Sequence, residues 1–216
     1  MIFGAINKLA TLRNLARTVV VGLMVLCAPF PLSADQPSEG YTQANEAYLK
    51  GEYPKAIALL RSLVEKGEAD PQSLLGLMYM NGQGVPADYA RAKELYRASA
   101  AQGNREGQFG LGYLYATGKG VPKSLTEAIR WFEPSANQGS KAAQYTLATI
   151  YCGGADEVGP DLVRAYKWYT ILKSIDKRYD AGFTERLETR MNAKQIEEAR
   201  KQALKSFVEF EASEKM

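Results

Sequence analysis

Few residues in this chain could do chemistry. Glu65, Glu68 and Asp70 stand close together, and two carboxylates are the minimum equipment for general acid–base work. Cys152 could serve as a nucleophile if a base stood beside it. However, the 216 residues include no histidine. That removes the commonest general base, the triads that depend on it and the commonest metal ligand. Carboxylate chemistry survives, but these three acids flank a turn, where a solvated surface is their expected role. Cys152, lacking a histidine partner, reads as a small buried or half-buried apolar residue. The Gly-x-Gly segments at Gly82–Gly84 and Gly118–Gly120 are no phosphate cradle, because no strand precedes them and no Lys-Ser/Thr follows. The residues therefore nominate no catalytic group, no metal site and no cofactor. What the elements present to a partner matters more than what they catalyse.

Those elements repeat. GQGVP at Gly82–Pro86 returns as GKGVP at Gly118–Pro122, 36 positions later. Tyr79, Tyr115 and Tyr151 share that register, as do Leu75, Leu111 and Leu147. So do Ala56, Ala92 and Ala128, and Gly67, Gly103 and Gly139. Agreement at so many positions means stacked units. Each unit reads as two helices. Leu75 and Tyr79, four apart, give the first helix a buried stripe. Gly84 and Gly120, each followed by a proline two residues on, are expected to end it, with the proline starting the next helix. Asp88, Ser124 and Asp161 are expected N-caps of the second helix, and Ser124 with Glu127 fits a capping box. Alanine at 92, 128 and 165 lets the helices approach. Leu95 and Tyr96, Trp131 and Phe132, and Trp168 and Tyr169 then fill the gap between units. Gly103 and Gly139 suit a left-handed helix stop.

The first pair is atypical, with LKGEYPKA in place of the long loop, and divergent end units are expected of a stack. Beyond Ser174 the period is lost but helical spacing continues. Tyr179, Phe183, Leu187 and Met191 recur every four residues, and a further helix follows Asn192 as its cap. Residues 176–216 are read as helices capping the open end, with the last five residues frayed.

Residues 1–34 have a different character. A basic stretch holding Lys8, Arg13 and Arg17 and no acid leads into the apolar run Thr18–Phe30, and Ala34 suits the position before a cleavage site. This is the three-part pattern of a secretory signal peptide, with an uncleaved anchor as the other reading. The run is short for a membrane-spanning helix, which needs about 20 residues. The net charge of +3 lies entirely here, and the remaining basic residues balance the 24 acids. Charge therefore gives nucleic-acid binding no support. Loss of Cys27 with the signal would leave Cys152 alone, with no internal disulfide. Membrane association is then expected only through a partner or an uncleaved signal.

LLGLMYMNGQGVPADYARAKELYRASAAQGN and FGLGYLYATGKGVPKSLTEAIRWFEPSANQGS are similar to the Sel-one-like repeat, a longer relative of the tetratricopeptide repeat. YTLATIYCGGADEVGPDLVRAYKWYTIL is a looser copy, and LKGEYPKAIALLRSLVEKGEA looks like a tetratricopeptide unit. The resemblance covers about residues 41–175. It implies an all-α, right-handed α-solenoid that scaffolds other proteins, often near bacterial membranes. Some secreted members have been ascribed penicillin-related activity, but they carry cysteine pairs inside each unit. This chain lacks those pairs, so the enzyme reading stands as the alternative to an exported protein-binding scaffold.

In tetratricopeptide-like stacks the first helices line the concave side. Opposite the core stripe lie Ser73, Leu77 and Met80, then Phe109, Tyr113 and Ala116, then Tyr145, Thr149 and Cys152. These positions do not match one another, whereas the core positions do. Unmatched positions on one face are free to serve a partner. Leu77, Met80, Phe109, Tyr113, Tyr145 and Thr149 are therefore the candidate peptide- or helix-binding residues, with a protein as the expected partner. The same row would instead pack between neighbouring first helices if the curvature of the stack demands it.

Overall fold

The computed structural model describes residues 37–176 and 182–213. The leader, residues 1–34, lies outside them, as does Tyr179. The described residues form ten helices: α1 (Glu39–Leu49), α2 (Tyr53–Glu65), α3 (Ala69–Asn81), α4 (Tyr89–Ala101), α5 (Arg105–Thr117), α6 (Leu125–Asn137), α7 (Lys141–Gly153), α8 (Leu162–Ile175), α9 (Phe183–Glu188) and α10 (Ala193–Ser213). Helices α1 to α8 form four successive antiparallel pairs in an α-solenoid. The first helices pack directly on one another, α1 on α3 and α3 on α5, which turns them to the inner side.

Local chemistry sets most helix starts. Asp88, Ser124 and Asp161 each accept a hydrogen bond from the amide three residues on, at 2.9, 3.2 and 3.0 Å. Each such cap is worth about 1 kcal/mol. The capping box at Ser124 is half formed, because Glu127 turns instead to Arg130 at 2.6 Å. A reciprocal box stands at α10, where Asn192 and Gln195 exchange two 2.9 Å bonds. Helix α10 continues through Ser213, further than the expected fraying.

The loops depart from expectation in detail. Helices α3 and α5 stop at Gly82 and Gly118, both left-handed, and not at Gly84 and Gly120. The prolines sit two residues before the caps, so they shape the loop and do not open the helix. The loop is closed by a bond that recurs in all three units: the Asp88, Ser124 and Asp161 amides donate to the Tyr79, Tyr115 and Tyr151 carbonyls at 2.9, 3.0 and 2.8 Å. Gly84 and Gly120 also have positive φ, and each lies against the preceding pair. A Cβ at Gly84 would come within 2.6 Å of Tyr53 Cβ, and one at Gly120 within 2.8 Å of Tyr89 Cβ. The second glycine of each pentapeptide is thus required by a contact between units.

The third loop, GGADEVGP, reaches back by other means. Glu157 accepts from the Ser124 hydroxyl at 2.8 Å and the Thr126 amide at 2.9 Å, so it caps α6 from the following unit. Asp156 pairs with Lys123 at 2.9 Å. The Thr126 amide, then Glu157's own amide and the Ser124 hydroxyl, hold the Glu157 carboxyl down at about 2, from an ordinary 4.5. A depressed carboxylate stabilises the fold above its unfolded pKa and loses that contribution as pH falls through its folded one. Urea midpoints of wild type and Glu157→Gln should therefore differ at neutral pH and converge between about pH 4.5 and 2. A gap that stays constant down to about pH 2 would refute the trans cap.

Packing follows the repeated small residues. Ala56, Ala92, Ala128 and Ala165 are fully buried, as are Leu60, Met78, Leu114, Phe132 and Leu147. The Tyr96 ring lies between units, against Gly76 of its own first helix and Gly110 of the next. Burial on the first helices is wider than one stripe. In α3 it runs unbroken from Pro71 to Gly76 and includes Met78, because that helix faces its partner and both neighbouring units.

The buried polar groups in this wide face are matched inside each pair. The Ser99 and Ser135 hydroxyls donate to the Ala69 and Arg105 carbonyls, both at 2.8 Å. Gln102 donates to Gln72, and Gln138 to Gln108, both at 2.9 Å. The α7–α8 pair breaks this ladder, with Leu172 and Ile175 at the equivalent positions. Gln144 donates to the Ala136 carbonyl, but its buried Oε1 has no partner. Ile175→Gln should restore the missing donor and raise stability by about 1 kcal/mol. Thermal melts check this; a gain that persists in a Gln144→Leu background would mean the ladder is not its source.

Beyond the pairs, α10 packs on α8 through Ala199 and Ala203, and Arg200 binds Glu188 at 2.7 Å.

Candidate functional site

The candidate row begins as packing and ends as surface. On α3, Leu77 is half-buried where two core clusters meet, and the half-buried Met80 sulfur receives the Tyr96 hydroxyl at 4.0 Å. On α5, Phe109 is half-buried with its ring tilted 5.5 Å from Phe132, and Tyr113 is half-buried beside it. On α7, Tyr145 is 42% exposed and meets Tyr169 edge-on at 6.4 Å. Thr149 is exposed, and its hydroxyl donates to the Tyr145 carbonyl at 2.9 Å. The six residues share a side of three successive first helices, but the four on α3 and α5 divide among three core clusters. Ser73 leaves the row: it is buried, with its hydroxyl on the Asp70 carbonyl at 2.9 Å.

The structure adds members that the sequence reading did not place there. Tyr169 stacks on Phe183 at 4.7 Å, extending the aromatic line from Tyr145 onto α9, and the Arg186 guanidinium lies 4.4 Å above Phe183. Lys119 Nζ sits 5.5 Å from the Tyr113 ring centre and 5.4 Å from that of Tyr89. Arg190 reaches the half-buried Cys152 sulfur at 3.7 Å. The signal for Lys119 was present, since it is the one position at which the two pentapeptides differ. Its counterpart Gln83 bonds Tyr48 and Tyr53 at 3.4 and 3.3 Å.

Electrostatics differ across the face. The Tyr41 hydroxyl is pushed up to about 12 by burial, then by the carboxylates of Asp70 and Glu106. Burial likewise raises Tyr96 and Tyr169. Glu68 accepts from Ser38 at 2.7 Å and Asp70 from Asn104 at 2.6 Å, so two of the three sequence-flagged acids are tied into the framework. Among the described residues, no three His, Cys, Asp or Glu side chains gather to hold a metal, and no helix is long and apolar enough to cross a membrane.

Stacked helix pairs with a non-repeating inner row define a repeat scaffold. The Sel1 repeat model matches residues 72–104, 105–140 and 141–171. The chain belongs to the Sel1-like repeat family, whose fold is generally a non-catalytic scaffold that binds other proteins. It is similar to a protective antigen present in uropathogenic Escherichia coli strains that displays an SLR fold. There the TM-score is 0.61 at 30% identity, over 81% of this chain and 38% of that one. It is also similar to a Sel1 repeat protein from Oxalobacter formigenes, with TM-score 0.58 and 26% identity over 64% of this chain and 57% of that one. The chain thus spans less than two thirds of either relative. Among curated proteins, no sequence matches it.

Proposed function

We propose that this chain is an exported scaffold of the bacterial cell envelope that binds a peptide or helix on its concave face. Leu77, Met80, Phe109, Tyr113, Tyr145 and Thr149 form the binding row. The observation that carries this reading is the contrast along the first helices. Core positions repeat in type, with Leu75, Leu111 and Leu147 buried, whereas the inner row changes type in every unit and opens to solvent at Tyr145 and Thr149. Positions that repeat serve the shared architecture, and those that vary are free to serve a partner. The basic, apolar, small-residue pattern of residues 1–34 supports export. So does the likeness to a protective antigen of uropathogenic Escherichia coli, since such a protein is met by the host.

The test is crosslinking in intact cells with a C-terminally tagged chain, read by mass spectrometry. Tyr145→Glu should abolish a dominant crosslink while the thermal midpoint moves by no more than about 2 °C, as for most exposed positions. Retention of the crosslink, or a collapse in stability, would return the row to a packing role. The same peptides report whether the mature chain begins at Asp35.

A further inference from the structure

We infer that the occupant of the inner face is an acidic segment of a partner protein, in which carboxylates stand next to apolar or aromatic side chains. This rests on the row's being a binding surface. The charges around that row are unequally compensated. At the end where the first helices begin, the charged groups are engaged. Asp70 accepts from Asn104 at 2.6 Å, Arg105 pairs with Glu106 at 3.1 Å, and Lys141 pairs with Asp176 at 3.2 Å.

The end where the first helices finish is different. Lys119 follows α5 and lies against the Tyr113 and Tyr89 rings, and Arg190 lies against Cys152 near the end of α7. Among the described residues, neither is paired with a carboxylate. Both are held by soft, weakly competing partners, a π face and a thiol, which fix the cation without neutralising it. Since α5 and α7 are successive first helices, the two cations stand at the same end of neighbouring units, Lys119 beside Tyr113 and Arg190 against Cys152, three residues beyond Thr149.

An acidic chain lying along that end would gain two charge-assisted contacts while its apolar side chains meet the exposed ring of Tyr145. A basic segment would meet uncompensated like charge, which is the stronger discrimination. The substitution that separates the two pentapeptides has the same sense. The neutral Gln83 is occupied by two tyrosine hydroxyls, whereas Lys119 brings a charge to the equivalent place.

The test is selection of a random-peptide phage library against the chain purified from its full-length gene, and in parallel against a Lys119→Glu/Arg190→Glu variant. Wild type should enrich peptides that place Asp or Glu beside Phe, Tyr or Leu. Those peptides should bind the charge-reversed variant roughly tenfold more weakly and lose affinity as salt rises. A Lys119→Gln/Arg190→Gln variant, checked for an unchanged melt, provides the same comparison without introduced repulsion. Enriched peptides without acidic bias, lost on Tyr145→Glu but indifferent to Lys119 and Arg190, would overturn the acidic occupant and leave the binding row standing. Peptides indifferent to all of these residues would overturn both. Failure to enrich any peptide, with phosphatidylglycerol vesicles bound through Lys119 and Arg190, would assign the cations to a lipid surface and overturn the inference.

Discussion

Phe132→Ala is expected to cost about 3–5 kcal/mol, the usual range for emptying a fully buried aromatic site. The Phe132 ring is completely enclosed and meets three structures at once. A Cβ on Gly112 of its own first helix would come within 2.7 Å of it, Phe109 touches it from the inner face, and the cluster around it extends to α7 and α8. No neighbouring side chain can move in without leaving another gap. In a chain of this size each kcal/mol shifts the thermal midpoint by about 2–4 °C, so the melt should fall by roughly 6–20 °C. A fall of under about 2 °C would mean the site collapses freely and that the interface between the second and third 36-residue units is soft. The consequence reaches the proposed site, because Phe109 is held in the row by the ring behind it.

Gly110→Ala should also destabilise, against the ordinary rule. Alanine in place of glycine inside a helix normally gains about 1 kcal/mol. Here the added Cβ would overlap the Tyr96 ring, which is itself pinned between α3 and α5 with its hydroxyl on Met80. Overpacking of this kind costs about 1–3 kcal/mol or more and outweighs the propensity gain. Gly153→Ala is the internal control. It lies in the last turn of α7 with nothing within 4 Å of its added Cβ, so it should be neutral or slightly stabilising. Parallel chemical melts of the two variants decide the matter. Equal stabilisation by both would show that the Tyr96 ring of α4 does not press on α5 at Gly110.

What could be seen in the sequence followed how locally each feature is determined. Asp88, Ser124 and Asp161 were legible as caps because a short polar side chain bonds an amide three residues away wherever the fold places it. The alanines at 92, 128 and 165 were legible because the repeat isolates them from their neighbours. The family resemblance was legible from the same register. Gly82 and Gly84 were harder to tell apart. Both have positive φ, but the first ends a helix and the second makes room for Tyr53 of the preceding pair, a long-range contact with no local mark. The width of burial on α3 was missed for a related reason. A stripe is what one neighbour needs, and α3 has three. Glu157 carried no signal at all, since its role as a cap depends on a helix 30 residues behind it. In the candidate row, Tyr145 and Thr149 are as open as the pattern suggested, whereas Leu77, Met80, Phe109 and Tyr113 are half-buried among core groups. The cations Lys119 and Arg190 escaped notice because charge was weighed over the whole chain, where it cancels.

The loop contacts between units run in one direction. Gly84 rests on Tyr53, Gly120 on Tyr89, and Glu157 on Ser124 and Thr126, so each of these loops docks on the pair before it. A polypeptide leaves the ribosome N-terminus first. Each loop therefore finds its docking surface already built when it emerges. The stack can close like a ratchet behind the growing chain, with exposed apolar surface limited to the newest pair.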